Sequence, residues 1–128
     1  MPESQERKDK ILIVIPAFNE EEKIHVVVQE IRREVPEAVV LVVNDGSRDQ
    51  TESRARAAGA KVLTHPFNMG YGVTLQTGYK FGLKHGFDYV LQMDGDGQHD
   101  PRYLPVLFRE IREGGADVVI GSRFLGEG

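Results

Sequence analysis

Cysteine is absent from the 128 residues. Its absence excludes disulfides and cysteine-ligated metal sites, and fits a reducing compartment. No apolar run approaches the roughly 18 residues that cross a bilayer. The start, MPESQERKDK, mixes its charges and precedes too short an apolar run to act as a signal peptide. There is no basic stripe either. The 16 Lys and Arg are interspersed with 20 Asp and Glu, for a net charge of −4, so no nucleic-acid partner is expected. Histidine is scarce, and His25, His65, His85 and His99 show no paired zinc spacing. The first three are expected at the surface or as caps, while His99 adjoins an acidic loop. What remains is one cytoplasmic domain, with a place at the cytoplasmic face of a membrane left open. Residues 1–10 read as a flexible tail and 11–128 as the domain, without repeats or linkers.

What the chain does have is an unbroken alternation. Ile11 to Ile15 and Val39 to Val43 are continuous apolar runs, Lys61 to Leu63 is a shorter one, and Tyr89 to Leu91 and Asp117 to Ile120 complete five. Runs apolar throughout suit strands covered on both faces. Helical signals fill the gaps. Asn19 is expected to cap a first helix whose first turn is Glu20, Glu21 and Glu22, with Ile24, Val27, Val28, Ile31 and Val35 on its apolar face. Asp49 with Glu52 resembles a capping box, and Gly59 closes that second helix. A third helix spans about Gly72 to His85. A fourth starts near Asp100-Pro101, buries Leu104, Leu107, Phe108 and Ile111, and stops at Gly114-Gly115. The sum is a three-layer α/β/α domain with a mainly parallel sheet.

In such sheets ligands bind beyond the carboxyl ends of the strands. The segments there are PAFNEEE, NDGSRD and DGDGQHD, all polar and two of them rich in acid and glycine. Asp94 and Asp96 flank Gly95, which permits the turn that brings two carboxylates toward one hard cation, Mg²⁺ or Mn²⁺. An Asp-Gly turn with solvated charges is the plain alternative. An EF-hand fits worse, because its sixth and twelfth positions would be His99 and Pro105. Asp45, just past a strand end, suits ribose hydroxyls or a base N–H, and Asp49 suits a cap. The loop NMGYG, Asn68 to Gly72, allows close backbone approach but is neither a Walker loop nor a dinucleotide fingerprint. Gly78 and Gly82, inside the third helix, point to close packing on the sheet.

In order, IPAFNEE, VVNDGSRDQT, NMGYG, LQMDGDGQHDP and GSRF closely resemble family 2 glycosyltransferases of the GT-A fold, nearest to the dolichyl- or polyprenyl-phosphate sugar transferases. The resemblance covers about Ile11 to Phe124. It implies a UDP- or GDP-linked nucleotide-sugar donor, a lipid-phosphate or saccharide acceptor, and Mg²⁺ or Mn²⁺. It implies that Pro16, Ala17 and Glu20 border the base, that Asp45 holds base or ribose, and that Asn68 and Gly70 line the donor. Asp94 and Asp96 match the metal- and diphosphate-binding Asp-x-Asp motif, and Gln98 and Arg123 match positions near the donor phosphates or sugar. Asp94, Asp96 and Arg123 thus form the implied catalytic set. Two departures stand out. Tyr71 and Thr74 occupy positions where a basic residue and alanine are common, and family members continue past GSRF into an acceptor-side segment. Membrane association of a longer protein and self-association of this chain stay open on that ground. So do two rival activities: a nucleoside-diphosphate-binding module without turnover, and a nucleotidyltransferase. The latter would carry a basic Gly-rich loop where PAFNEEE is acidic.

Overall fold

The apolar runs emerge as strands, and every pairing between them is parallel. The computed structural model describes residues 10–95, 100–114 and 118–119. Strands β1 (Ile11–Ala17), β2 (Val39–Asn44), β3 (Lys61–Thr64), β4 (Tyr89–Gln92) and the short β5 (Val118–Val119) lie in the order β3-β2-β1-β4-β5. Helices α1 (Ile24–Glu34), α2 (Thr51–Ala57), α3 (Tyr71–Lys84) and α4 (Leu104–Gly114) connect them, the last entered through a 3₁₀ turn at Pro101–Tyr103. Among the described residues no helix is long and apolar enough to cross a membrane.

The central strand shows why its sequence is apolar without a break. Ile11, Ile13, Ile15 and Ala17 face one layer, where they meet Ile24, Val27, Val28 and Ile31 of α1, Ala55 of α2 and Leu104, Leu107 and Phe108 of α4. Leu12 and Val14 face the other layer, with Leu41, Val43 and Val90 and the half-buried Tyr79 and Phe81 of α3. Side chains alternate across a strand, so a strand between two layers must be apolar on both faces. The three-layer expectation is met. The helix α3 rides close to the sheet because it carries glycine at the contact. A Cβ on Gly78 would lie 2.5 Å from Val14 Cγ1, and one on Gly82 would lie 2.8 Å from Val90 Cγ2.

Helix ends follow the expected chemistry in part. Both α2 and α3 close on a left-handed glycine. Gly59 and Ala60 donate back to Arg56 and Ala55, and Gly86 and Phe87 donate back to Leu83 and Gly82. These paired bonds satisfy carbonyls that would otherwise be orphaned. Asp100 accepts from the Arg102 amide at 3.0 Å, and Pro105 sits in the first turn of α4, where its missing N–H costs nothing. The start of α1 is a correction. Asn19 does not cap it: the residue has φ 54°, and its side chain accepts from the Arg48 amide at 3.0 Å. The helix begins at Ile24, after a turn in which Lys23 and Ile24 donate to the Glu20 carbonyl. The amides of Glu20 and Glu21 go instead to Thr51 Oγ1 and Asp49 Oδ2 of the neighbouring loop. The capping box is also half right. Asp49 accepts from the Thr51 amide at 3.0 Å, but Glu52 turns to Arg56 at 3.2 Å, one helical turn on.

Candidate functional site

The topology places a seam between β1 and β4. Chain order runs outward from β1 to β3 and then returns to β4 on the other side of β1, which is the switch point where α/β sheets bind ligands. The two strands are of unequal length there. Pairing with β4 ends at Val14↔Gln92, whereas β1 continues beside β2 to Ala17↔Asn44. One further bond, Met93 N to Val14 O at 2.9 Å, ends the ladder, and the chain then turns across the overhanging end of β1. Gly95 makes that crossing: a Cβ there would lie 3.1 Å from Ile15 Cγ2 and 3.5 Å from the Pro16 carbonyl oxygen.

Over this overhang lies a cleft of ≈ 480 Å³. Its lining brings together Pro16, Ala17 and Glu20 after β1, Asp45 after β2, Asn68 and Gly70 before α3, and Asp94 after β4. All seven were singled out in the sequence. Phe18, Tyr71, Thr74 and Gly95 join them. Phe18 and Tyr71, both nearly half exposed, supply aromatic surface to the lining, and the Tyr71 hydroxyl bonds the buried Gln92 amide. Asp96, Gln98 and Arg123 lie outside the described residues, as do His99 and the first nine residues. The side chain of Ile111, expected in the core, does too.

The cleft is acidic. Among the described lining residues there are three carboxylates, Glu20, Asp45 and Asp94, and no Lys or Arg. The described residues contain no group of three or more His, Cys, Asp or Glu that would hold a metal by themselves. Asp94 therefore stands as one oxygen donor rather than as a finished centre.

The Asp45 carboxylate is buried, at 4% exposure, and serves the fold of the cleft. Its Oδ1 accepts from His65 Nδ1 at 2.7 Å and the Met69 amide at 2.8 Å, and its Oδ2 accepts from the Gly70 amide at 2.9 Å. Burial pushes its pKa up, but the bonds from His65, Met69 and Gly70 outweigh burial and hold it below 3.8. A carboxylate has about four acceptor positions. Three are used, and one on Oδ2 remains. Gly46 lets the loop fold this tightly: with φ 74° its missing Cβ leaves room for the backbone of Phe67 and Asn68.

His65 corrects an expectation. It is no surface histidine: its side chain is 10% exposed and wedged between Asp45 and Thr77. The register gives the signal for it. Asn44↔Thr64 ends the β2–β3 pairing, so His65 must emerge beside Asp45. Asp49 stands one residue before the N-cap of α2, Gln50, and its carboxylate accepts from the amide of the first helical residue, Thr51, at 3.0 Å. Burial raises its pKa, but bonds from the Thr51 hydroxyl and amide and from the Glu21 amide bring it below 3.8.

The sequence profile described as "Glycosyl transferase family 2" matches residues 12–128. An undecaprenyl-phosphate mannosyltransferase of Micrococcus luteus is 39% identical over 119 residues, covering 89% of this chain and 48% of that protein. A polyprenol monophosphomannose synthase of Mycolicibacterium smegmatis is 32% identical, covering 91% of this chain and 46% of that protein. The chain thus spans about half the length of these curated relatives. In structure it is similar to glucosyl-3-phosphoglycerate synthase from Mycobacterium tuberculosis in complex with Mn²⁺, UDP and glucosyl-3-phosphoglycerate. The TM-score is 0.68 at 29% identity, over 85% of this chain and 42% of that one.

Proposed function

The chain belongs to glycosyl transferase family 2, and from that premise we propose that it binds the donor in a metal-dependent, inverting transfer of a sugar from a UDP- or GDP-sugar to a polyprenyl phosphate. One observation carries the reading. Seven residues scattered from position 16 to position 94 converge on a single acidic cleft at the switch point of the sheet. The mannosyltransferase and synthase relatives favour the lipid-phosphate acceptor, and the UDP complex favours a uridine donor.

The residues divide the work as follows. Backbone at Pro16 and Ala17, at the overhanging end of β1, meets the base, with Glu20 beside it. The unused position on Asp45 Oδ2 accepts one N–H or O–H from base or ribose. Asn68 and Gly70 form the wall against the donor. Asp94 and Asp96 would hold Mn²⁺ or Mg²⁺, and an oxygen-only donor set suits those hard cations. When bound, the metal neutralises charge on the diphosphate. That need follows from electrostatics, because a diphosphate entering three carboxylates with no basic side chain among the described lining residues would be repelled. In the transfer, a phosphate oxygen of the acceptor bonds to the anomeric carbon. The bond from that carbon to the donor's β-phosphate oxygen breaks, and the nucleoside diphosphate leaves with the electron pair. The acceptor phosphate is already an anion, so no general base is required of the chain. Gln98 and Arg123 complete the proposed contacts to phosphate and sugar, Arg123 countering leaving-group charge. A lipid-phosphate acceptor would bring the protein to the cytoplasmic face of a membrane.

Calorimetric titration with UDP and GDP tests the reading. Binding is expected in Mn²⁺ and not in EDTA. Asp94→Asn and Asp96→Asn should each weaken it about tenfold or more, the scale of a lost charged contact, and leave the far-UV spectrum unchanged. Equal affinity in Mn²⁺ and in EDTA would remove the metal from the proposal.

A further inference from the structure

We propose that His65 is a positioning residue of the nucleotide cleft. Its ring braces Asp45 against α3, and Asp45 so braced holds the glycine turn that forms one cleft wall. The proposal rests on the nucleotide-binding reading above and deepens it, because neither His65 nor Thr77 lines the cleft.

Three elements meet at this ring. The His65 amide continues the sheet by donating to the Asn44 carbonyl at 2.9 Å. Ring Nδ1 lies 2.7 Å from Asp45 Oδ1, and ring Nε2 lies 2.8 Å from Thr77 Oγ1 on α3. Asp45 in turn takes the amides of Met69 and Gly70. Among the described residues, these two amides are the hydrogen bonds that fasten the turn 66–70 to the end of β2. Gly70 has φ 101°, and its carbonyl accepts both the Thr74 amide and the Thr74 hydroxyl, so the turn also sets how α3 begins. Asn68, Gly70, Tyr71 and Thr74 all belong to that wall.

Proton bookkeeping shows that the brace is complete. An ionised carboxylate only accepts, so Nδ1 carries a hydrogen. The Thr77 hydroxyl is 3.1 Å from the Val73 carbonyl of its own helix as well as 2.8 Å from Nε2. With a neutral ring, Thr77 donates to Nε2. With a protonated ring, Nε2–H donates to Thr77, and Thr77 donates to Val73. Either way the ring has a partner at both ends, and Asp45 cannot swing out of reach of the two amides without breaking one of them.

The test uses Thr77→Val, which deletes the hydroxyl at nearly constant shape, Thr77→Ser, which keeps it, and His65→Ala. Two quantities are measured: hydrogen exchange of the Met69 and Gly70 amides without ligand, and calorimetric affinity for UDP with Mn²⁺. Thr77→Val is expected to speed exchange at both amides and to weaken UDP about three- to tenfold, the scale of one lost hydrogen bond. His65→Ala should exceed it, Thr77→Ser should restore both, and amides of β1 should not respond. Unchanged exchange or unchanged affinity in Thr77→Val, or a Thr77→Ser variant no better than the valine, overturns the proposal. If His65→Ala does not fold, the two Thr77 variants still decide. If the wild type binds neither UDP nor GDP, the nucleotide reading fails and with it the link to affinity, while the exchange data alone judge the brace.

Discussion

Asp45→Ala should cost the folded chain about 3–5 kcal/mol near neutral pH, a large share of the stability of a domain this size. Three donors lose their acceptor together: the His65 ring, the Met69 amide and the Gly70 amide. Each stranded donor in a buried site costs about 1–3 kcal/mol, and water from the adjoining cleft offsets part of the sum. A loss of that order lowers Tm by roughly 10 °C or more. The pH dependence has a definite sign. The folded pKa of Asp45 lies below 3.8. The ionised group therefore contributes stability at pH values above its unfolded pKa, and that contribution is lost as pH falls through the lower folded value. Urea unfolding of both proteins from pH 6 to pH 2.5 reads this directly. The gap between them should be widest above about pH 4 and narrow toward pH 2.5. A gap that stays constant over that range would show that the carboxylate charge is not what the three donors require.

Gly78→Leu should prevent folding, and Gly78→Ala should already destabilise. A Cβ at this position would lie 2.5 Å from Val14 Cγ1 and 3.0 Å from Val14 Cγ2, and Val14 is fully buried in the central strand. Val14 has no room to yield, so the helix must lift off the sheet. Overpacking of this kind costs about 1–3 kcal/mol for a small group and more for a large one. Alanine recovers about 1 kcal/mol through helix propensity, and because the 2.5 Å approach puts the overpacking toward the upper end of that range, the net loss is up to about 2 kcal/mol. Gly72→Ala is the control, since α3 is also helical there and nothing lies within 4 Å of a Cβ. It should be neutral or stabilising. Thermal unfolding of the two alanine variants separates packing from propensity, and equal Tm values would refute the packing account.

The parts legible in the sequence were those decided by nearby residues. Continuous apolar runs gave the strands, because both faces of β1 are covered. Glycines past helix ends gave the stops, because only a left-handed residue lets the paired closing bonds form. The segments around the cleft could be placed because polar stretches after parallel strands all reach the same edge, whereas the individual donor-side residues were named through the family resemblance. What escaped was decided by partners far along the chain. Asn19 has the right chemistry for a cap, yet Arg48, 29 positions away, uses its side chain. The amides it would have served are taken by Thr51 and Asp49. His65 read as a surface residue because its two partners come from a different strand end and a different helix. Asp45 read as a ligand contact alone, whereas most of its hydrogen-bonding capacity goes to its own protein.

The seam between β1 and β4 pairs Leu12 with Val90, whereas β1 meets β2 through Leu12 and Val39. During synthesis, β1, α1, β2, α2 and β3 leave the ribosome as a contiguous block that can pair in sequence order. Its first strand then keeps one bare edge until β4 emerges. A long apolar strand with an unpaired edge invites association with other chains. Synthesis of α3, which lands on the opposite layer, sets how long that interval lasts. The cleft sits on the same seam, so it does not exist in the nascent block. Ligand can engage only a chain that has already closed its edge, and binding thereby stabilises the completed sheet over its open precursor.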